Sequence, residues 1–140
     1  MEVEFCDTSR PYAALSYAWG NDPDTECITV NGLPFMARKN LCLSLQRLRK
    51  EDEDIVIWVD SICINQDDMV EKGVQIAQMN MIYGGATLVT IWLGEESPSS
   101  GMAMSLLDDC TTLLKEDDIV QRIVQNKTEA QALTELLQRP

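Results

Sequence analysis

No histidine occurs anywhere in the 140 residues. A Ser-His-Asp or Cys-His nucleophilic pair therefore has no imidazole base, and a His-ligated metal site cannot be built. Any chemistry falls to carboxylates or hydroxyls. Cysteine is present but never paired: Cys6, Cys27, Cys42, Cys63 and Cys110 stand singly, without a C-x-x-C. Such an odd set argues against a disulfide framework and a zinc site, and predicts buried free thiols in a reducing compartment. No apolar run approaches the roughly 20 residues of a membrane helix. The opening Met1 to Phe5 lacks the basic and apolar stretches of a secretory signal. These absences predict a soluble cytoplasmic protein without a membrane span or a metal. Positive charge is scarce as well, with 11 Lys and Arg against 23 Asp and Glu and a net charge of −12. So acidic a surface repels phosphate backbones, which excludes a general nucleic-acid binder. Five of the 11 cations (Arg38, Lys39, Arg47, Arg49 and Lys50) nevertheless fall close together. They read either as cations welcomed by the last turns of a helix or as an anion- or partner-binding patch.

What is present is ordinary for a globular chain, with 45% apolar and 24% charged residues. The length suits a single domain over 1–140. Tyr12 to Trp19 reads as a buried strand, stopped by Gly20-Asn21-Asp22-Pro23. Asn31-Gly32 between the short apolar runs Cys27–Val30 and Leu33–Met36 predicts an early β-hairpin. Asn40 offers an N-cap to an amphipathic helix bearing Leu41, Leu45 and Leu48, which gives out in the acidic stretch Glu51–Asp54. Ile55–Val59 is a short β-branched run of the kind covered on both faces in parallel sheets. Asp67 or Asp68 caps the next helix, Asp68 and Glu71 forming a D-x-x-E capping box. The apolar residues Val70, Val74, Ala77 and Met81, widened by Ile76, Met79 and Tyr83, predict packing of that helix on a sheet. Gly84-Gly85 predicts a left-handed C-cap. Thr87–Leu93 is a further strand, so strand, helix and strand make a βαβ unit with parallel strands. Ser97-Pro98, with proline at the first helical position, opens a helix to about Lys115. A weaker helical pattern runs to Asn126 and a clearer one from Thr128 to Leu137. The fold class expected is α/β, a mostly parallel sheet flanked by helices, with the hairpin early and a helical segment over 97–140.

In open parallel sheets ligands bind outside the carboxyl ends of the strands. The first strand end supplies Ser16, Tyr17, Trp19 and Gly20; the second supplies Asp60, Ser61, Asn65 and Gln66, with Glu71 one turn into the following helix; the third supplies Gly94, Glu95 and Glu96. A patch with Asp60, Glu71 and Glu95 would gather carboxylates among aromatics, suited to acid–base work or to stabilising a developing cation. Each residue also has a structural reading. Glu71 completes a capping box, Asp60 holds a loop backbone, Glu95 and Glu96 are solvated, and Trp19, Trp58 and Trp92 are core or wall.

Four blocks at these strand ends, Tyr12–Gly20, Trp58–Gln66, Gln75 through Met79 to Tyr83, and Ile91–Gly94, resemble the heterokaryon incompatibility (HET) domain of filamentous fungi in order and spacing. The resemblance covers about 12–96; the remainder, 97–140, is a helical extension, and a longer parent protein is one reading of its end. It implies a cell-death effector of fungal nonself recognition that acts by self-association or by binding other cell-death signalling proteins. It also implies a flavodoxin-like layout related to Toll/interleukin-1 receptor (TIR) domains. Some TIR domains cleave NAD with a glutamate on the helix after a central strand, and Glu71 is the residue here with that description. On that alternative NAD is substrate, and the chain requires no resident cofactor. Glu71 and Asp60 would be catalytic, while Ser16, Tyr17, Trp19, Gly20, Asn65 and Gln66 would bind ligand. Arg10, Arg38 or Lys39 would supply the cation for a phosphate, and the carboxylate would stabilise an oxocarbenium-like state.

Overall fold

The computed structural model describes residues 2–3, 10–20, 23–112 and 126–139. The chain divides into two compact units, Met1–Trp92 and Leu93–Pro140. In chain order the first contains β1 (Glu2–Val3), β2 (Ala13–Tyr17), β3 (Thr25–Val30), β4 (Leu33–Arg38), α1 (Lys39–Leu48), β5 (Ile57–Trp58), α2 (Asp60–Cys63), α3 (Met69–Gly85) and β6 (Leu88–Trp92). The second contains α4 (Ser100–Thr112) and α5 (Lys127–Leu137). The fold class is α/β as expected, but the strands of the first unit form two sheets. One is wholly parallel, in the order β5-β2-β6; the other joins the hairpin β3–β4 to β1.

The hairpin forms where the Asn-Gly pair sits. Asn31 and Gly32 take φ values of 50° and 74°. That left-handed pair matches the twist of the flanking strands. The strands run two residues beyond the expected runs at their outer ends, pairing Thr25 with Arg38. Since Arg38 ends β4 and Lys39 begins α1, no loop separates strand from helix. α1 accordingly starts one residue before Asn40, and Asn40 is not its N-cap. Arg38 holds that position without a side-chain cap. The helix stops at Leu48, before the acidic stretch, and only Arg47 of the clustered cations lies in its last turn.

The core lies where α1 meets both sheets. Leu41, Cys42 and Leu45 of α1 are buried with Ile28 and Ala37 of the hairpin sheet and with Leu15 and Val59 from the parallel sheet and its margin. Tyr17, Ile57 and Trp92 pack against this cluster. The register pairs Leu15 with Thr90 and Tyr17 with Trp92, so these four share one face of the parallel sheet. Cys42 fits the expectation of a buried thiol, whereas Cys27 is exposed, at a position of β3 outside the core cluster. Cys6, and the side chain of Cys110, lie outside the described residues.

β5 is shorter than the apolar run around it because it is an edge strand, paired with β2 only at Ala13–Ile57 and Ala14–Trp58. β5 and β6 are parallel to β2, which lies between them, so the β5-α3-β6 connection spans the central strand. α3 touches the opposite face of this sheet through its last turns. The Tyr83 hydroxyl donates to Leu15 O at 3.3 Å, the Tyr12 hydroxyl donates to Ile82 O at 2.6 Å, and the Tyr83 ring meets Trp58 edge-on at 5.6 Å. Contrary to the packing expected of so apolar a helix, no residue of α3 is buried. Its end also differs from expectation. Gly84 and Gly85 are the last helical residues and Ala86, in extended conformation, is the C-cap. A Cβ at Gly85 would stand 3.2 Å from the Tyr12 hydroxyl. Close approach, not a left-handed turn, accounts for that glycine.

In the second unit Ala103 of α4 packs with Ala132 and Leu136 of α5. Regular helix begins at Ser100, two residues after Pro98, so the proline is not at the first helical position. Ser97 still acts in the turn: its N–H donates to Ser100 Oγ at 2.8 Å. Asn126 caps α5 by accepting from the Glu129 N–H. The Arg139 guanidinium donates to the carbonyls of Leu93 and Glu95 and to the hydroxyls of Ser97 and Ser100. Expected helix over Leu113, Leu114 and the stretch from Asp117 to Gln125 lies outside the described residues. Among the described residues no helix is long and apolar enough to cross a membrane, and no group of three metal-ligating side chains is found.

Candidate functional site at the carboxyl edge of the parallel sheet

β2 ends at Tyr17, and the chain passes through Ala18 and Trp19 to Gly20, whose φ of 70° turns it away from the sheet. β5 ends one residue before Val59, and Asp60 opens the four-residue helix α2. These two strand ends are neighbours in the sheet, so Trp19 and Asp60 meet. The Trp19 Nε1–H donates to Asp60 Oδ2 at 3.1 Å and reaches Oδ1 at 3.4 Å, while the Ser61 N–H donates to Oδ1 at 2.6 Å. The Tyr17 hydroxyl donates to Ser61 Oγ at 2.6 Å, and the Gln66 amide donates to Asp60 O at 3.0 Å. Gln66 Oε1 is buried and unpartnered.

Desolvation sets the protonation of this cluster. Half-burial pushes the Asp60 carboxyl up from its ordinary range, against the Ser61 and Trp19 hydrogen bonds that favour the anion. Burial likewise pushes the Tyr17 phenol up to about 12, with the Ser61 hydrogen bond opposing and the Asp60 charge adding. Tyr17 is therefore a hydrogen-bond donor at neutral pH and not a base. Tyr83, on the other face of the sheet, is raised by burial and by the Asp60 charge, with Ser16 opposing.

A second group closes over Trp19 from the β4–α1 junction. The Arg38 guanidinium lies 5.9 Å from the Trp19 ring centroid and donates to Gly20 O at 3.2 Å. A cation over an indole face is attracted by the ring quadrupole. Asn40 donates to Ala18 O at 2.6 Å and accepts from the Trp92 Nε1–H at 2.8 Å, tying the ends of β2 and β6 to α1. Trp19, Gly20, Arg38, Lys39, Asn40 and Leu43 line an open cavity of about 200 Å³.

Of the residues picked out by sequence, the structure thus joins Tyr17, Trp19, Gly20, Asp60, Ser61 and Gln66. Ser16 points to the other face of β2. Glu71 and Asn65 serve the loop before α3. Asp68 caps that helix, accepting from the Val70 and Glu71 N–H groups, as expected. Glu71, however, does not complete the capping box. Its carboxylate accepts from the Asn65 N–H at 3.1 Å instead. The two carboxylates proposed as catalytic therefore hold different partners. Glu95 belongs to the second unit. Sequence reasoning assigned Asn40 to a cap and overlooked Leu43. Their only sequence signal is position, since a helix that starts directly from a strand must carry its first residues to that strand's neighbours.

Comparison with known proteins decides the lineage. The profile of the heterokaryon incompatibility protein (HET) family matches residues 12–140. The chain belongs to the HET family. Heterokaryon incompatibility protein 6, OR allele, of Neurospora crassa is 36% identical to it over 109 residues, covering 69% of this chain and 16% of that protein. The HET chain thus spans about a sixth of the length of the curated relative it matches. No solved structure matches it. Tyr17, Trp19, Asp60 and the β4–α1 junction all fall within the HET match.

Proposed function

We propose that this chain is the effector domain of a fungal nonself-recognition protein, acting in the cytoplasm and triggering cell death by assembling through the face made by α3 and β6. The observation that carries this reading is the exposure of that face. Val70, Met69 and Met81 of α3 are 78%, 75% and 68% exposed, and Ile91 and Val89 of β6, on the α3 side of the sheet, are 64% and 40% exposed. Apolar patches on a soluble chain mark surfaces that meet another molecule. All the exposed positions of α3 are uncharged, its charges being confined to half-buried Glu71 and Lys72. In a chain of net charge −12, such a face is where a second copy approaches with least repulsion. Other cell-death signalling proteins are the alternative occupants. We read the parallel sheet with flanking helices as the core of a flavodoxin-like, TIR-like layout.

The competing reading is NAD cleavage centred on Glu71. The bond from Glu71 to the Asn65 N–H favours assembly, because it gives this carboxylate a structural task. One experiment separates the two. The chain, a Val70→Glu/Val74→Glu variant and a Glu71→Gln variant are induced in a fungal host, with viability, total NAD and oligomer size by ultracentrifugation recorded. Killing and assembly are expected to vanish together in the double variant and to persist in Glu71→Gln with NAD unchanged. A Glu71-dependent collapse of NAD before death would overturn the proposal.

A further inference from the structure

Among the described residues the first unit has four sheet edges, and three of them are blunted. β1 and β5 are two residues long, and β4 carries Pro34 and Arg38. Very short strands, proline and charge are devices that keep a sheet edge from pairing with another chain. β6, the fourth edge, has none of them: Leu88–Trp92 is five residues without proline or charge. The whole stretch from Gly73 to Gly94 lacks Asp, Glu, Lys and Arg, in a chain that is 24% charged. The register shows which backbone groups face outward. The Ala13 N–H donates to Val56 O at 2.9 Å, beside β5, so Ala14 and Ser16 turn their N–H and C=O groups to β6. Ala14 is paired with Val89 and Ser16 with Ile91, so their bonds reach the residues on either side, Leu88, Thr90 and Trp92. The N–H and C=O groups of Val89 and Ile91 are left facing away from β2, and among the described residues no strand lies beyond them.

We infer that β6 pairs antiparallel with β6 of a second copy about a two-fold axis through Thr90, joining two parallel sheets into one. This pairing rests on the self-assembly proposed above and names its contact. The strand is its own complement. About Thr90 the pairing sets Leu88 against Trp92 and Val89 against Ile91, apolar to apolar on both faces, with Thr90 against its own copy. Val89 and Ile91 meet where both strands turn their free backbone groups outward, so each such pair exchanges two hydrogen bonds. A two-fold axis makes the contact self-complementary and closes it at two chains. It also places both α3 helices on the same side of the joined sheet, the side on which Val89 and Ile91 are 40% and 64% exposed. Two chains of net charge −12 approach with least repulsion along an uncharged edge.

The test is disulfide trapping in the full chain with oxidised glutathione, the linked peptides being identified by mass spectrometry. Thr90 lies between the two hydrogen-bonded pairs, where opposite residues stand about 4.5 Å apart at Cα, within disulfide reach. Thr90→Cys should therefore link to its own copy and give a covalent dimer. Leu88→Cys, on the same face of the strand, stands roughly 14 Å from its copy in this register and should not link. Peptide mapping separates this link from any made by the native cysteines, such as exposed Cys27. Ile91→Lys alters a 64% exposed side chain and remains informative if Thr90→Cys misfolds. It should lose the dimer in ultracentrifugation while keeping the fold by circular dichroism. An assembling parent in which Thr90→Cys links no faster than Leu88→Cys overturns the pairing and leaves assembly through α3 standing. A folded Ile91→Lys that assembles like the parent overturns it equally. A parent that stays monomeric up to about 1 mM, a loose limit for a specific contact, overturns both the pairing and self-assembly, leaving the edge to a different protein.

Discussion

Asp60 holds the carboxyl edge of the sheet together at a cost to itself. Burial raises its pKa above the unfolded value, so the folded chain keeps this proton to higher pH than the unfolded chain does. Stability then falls as pH rises from 3.8 through the raised value, the reverse of the usual carboxylate behaviour. Asp60→Asn keeps an acceptor for the Ser61 N–H, gives up the one facing the Trp19 Nε1–H, and removes the desolvated charge. Urea midpoints measured at about pH 4 and about pH 7 should therefore fall less for Asp60→Asn than for the parent. A difference that is the same at both pH values would show that burial does not perturb this carboxyl. Within the sequence, Asp60 and Trp19 stood out as strand-end residues, but their bond did not, because 41 positions separate them. Asn40 was misread for a similar reason. A residue type that favours caps also makes a good bridge. Here its two amide ends serve Ala18 and Trp92.

Local chemistry was the best guide to elements. The Asn31-Gly32 turn and the Asp68 cap depend on φ preference and on side-chain reach over a few residues, and both form as read. Removing the cap should cost about 1 kcal/mol. Asp68→Ala should lower the denaturation midpoint accordingly, while Asp67→Ala, which removes no cap, should shift it far less. Equal losses would assign the cap to the wrong aspartate. Burial, in contrast, was not legible in the apolar pattern of α3. The pattern predicted contact with the sheet, yet the helix reaches it only through its last turns. Apolar periodicity records that a face avoids water, not what covers it.

At the scale of the whole molecule, the acidic excess matters most. A net charge of −12 on 140 residues repels itself more strongly when folded than when spread out. Raising the salt from about 0.02 M to about 0.2 M shortens the screening length well below the width of the molecule. The thermal midpoint should rise with it; a midpoint that falls would mean that attractive pairs outweigh this repulsion. The same excess makes the uncharged exposed face of α3 an outlier among the described residues. The amino-acid sequence by itself determined the α/β class, the hairpin, the Asp68 cap and the four motif blocks that resemble the HET family, because each rests on residues close together in the chain. Only the tertiary structure decided that the strands form two sheets, that Trp19 leans on Asp60, that Arg38 and Asn40 close over the strand ends, and that α3 stays uncovered. Those features depend on which distant segments meet, and side-chain preference alone does not encode that choice.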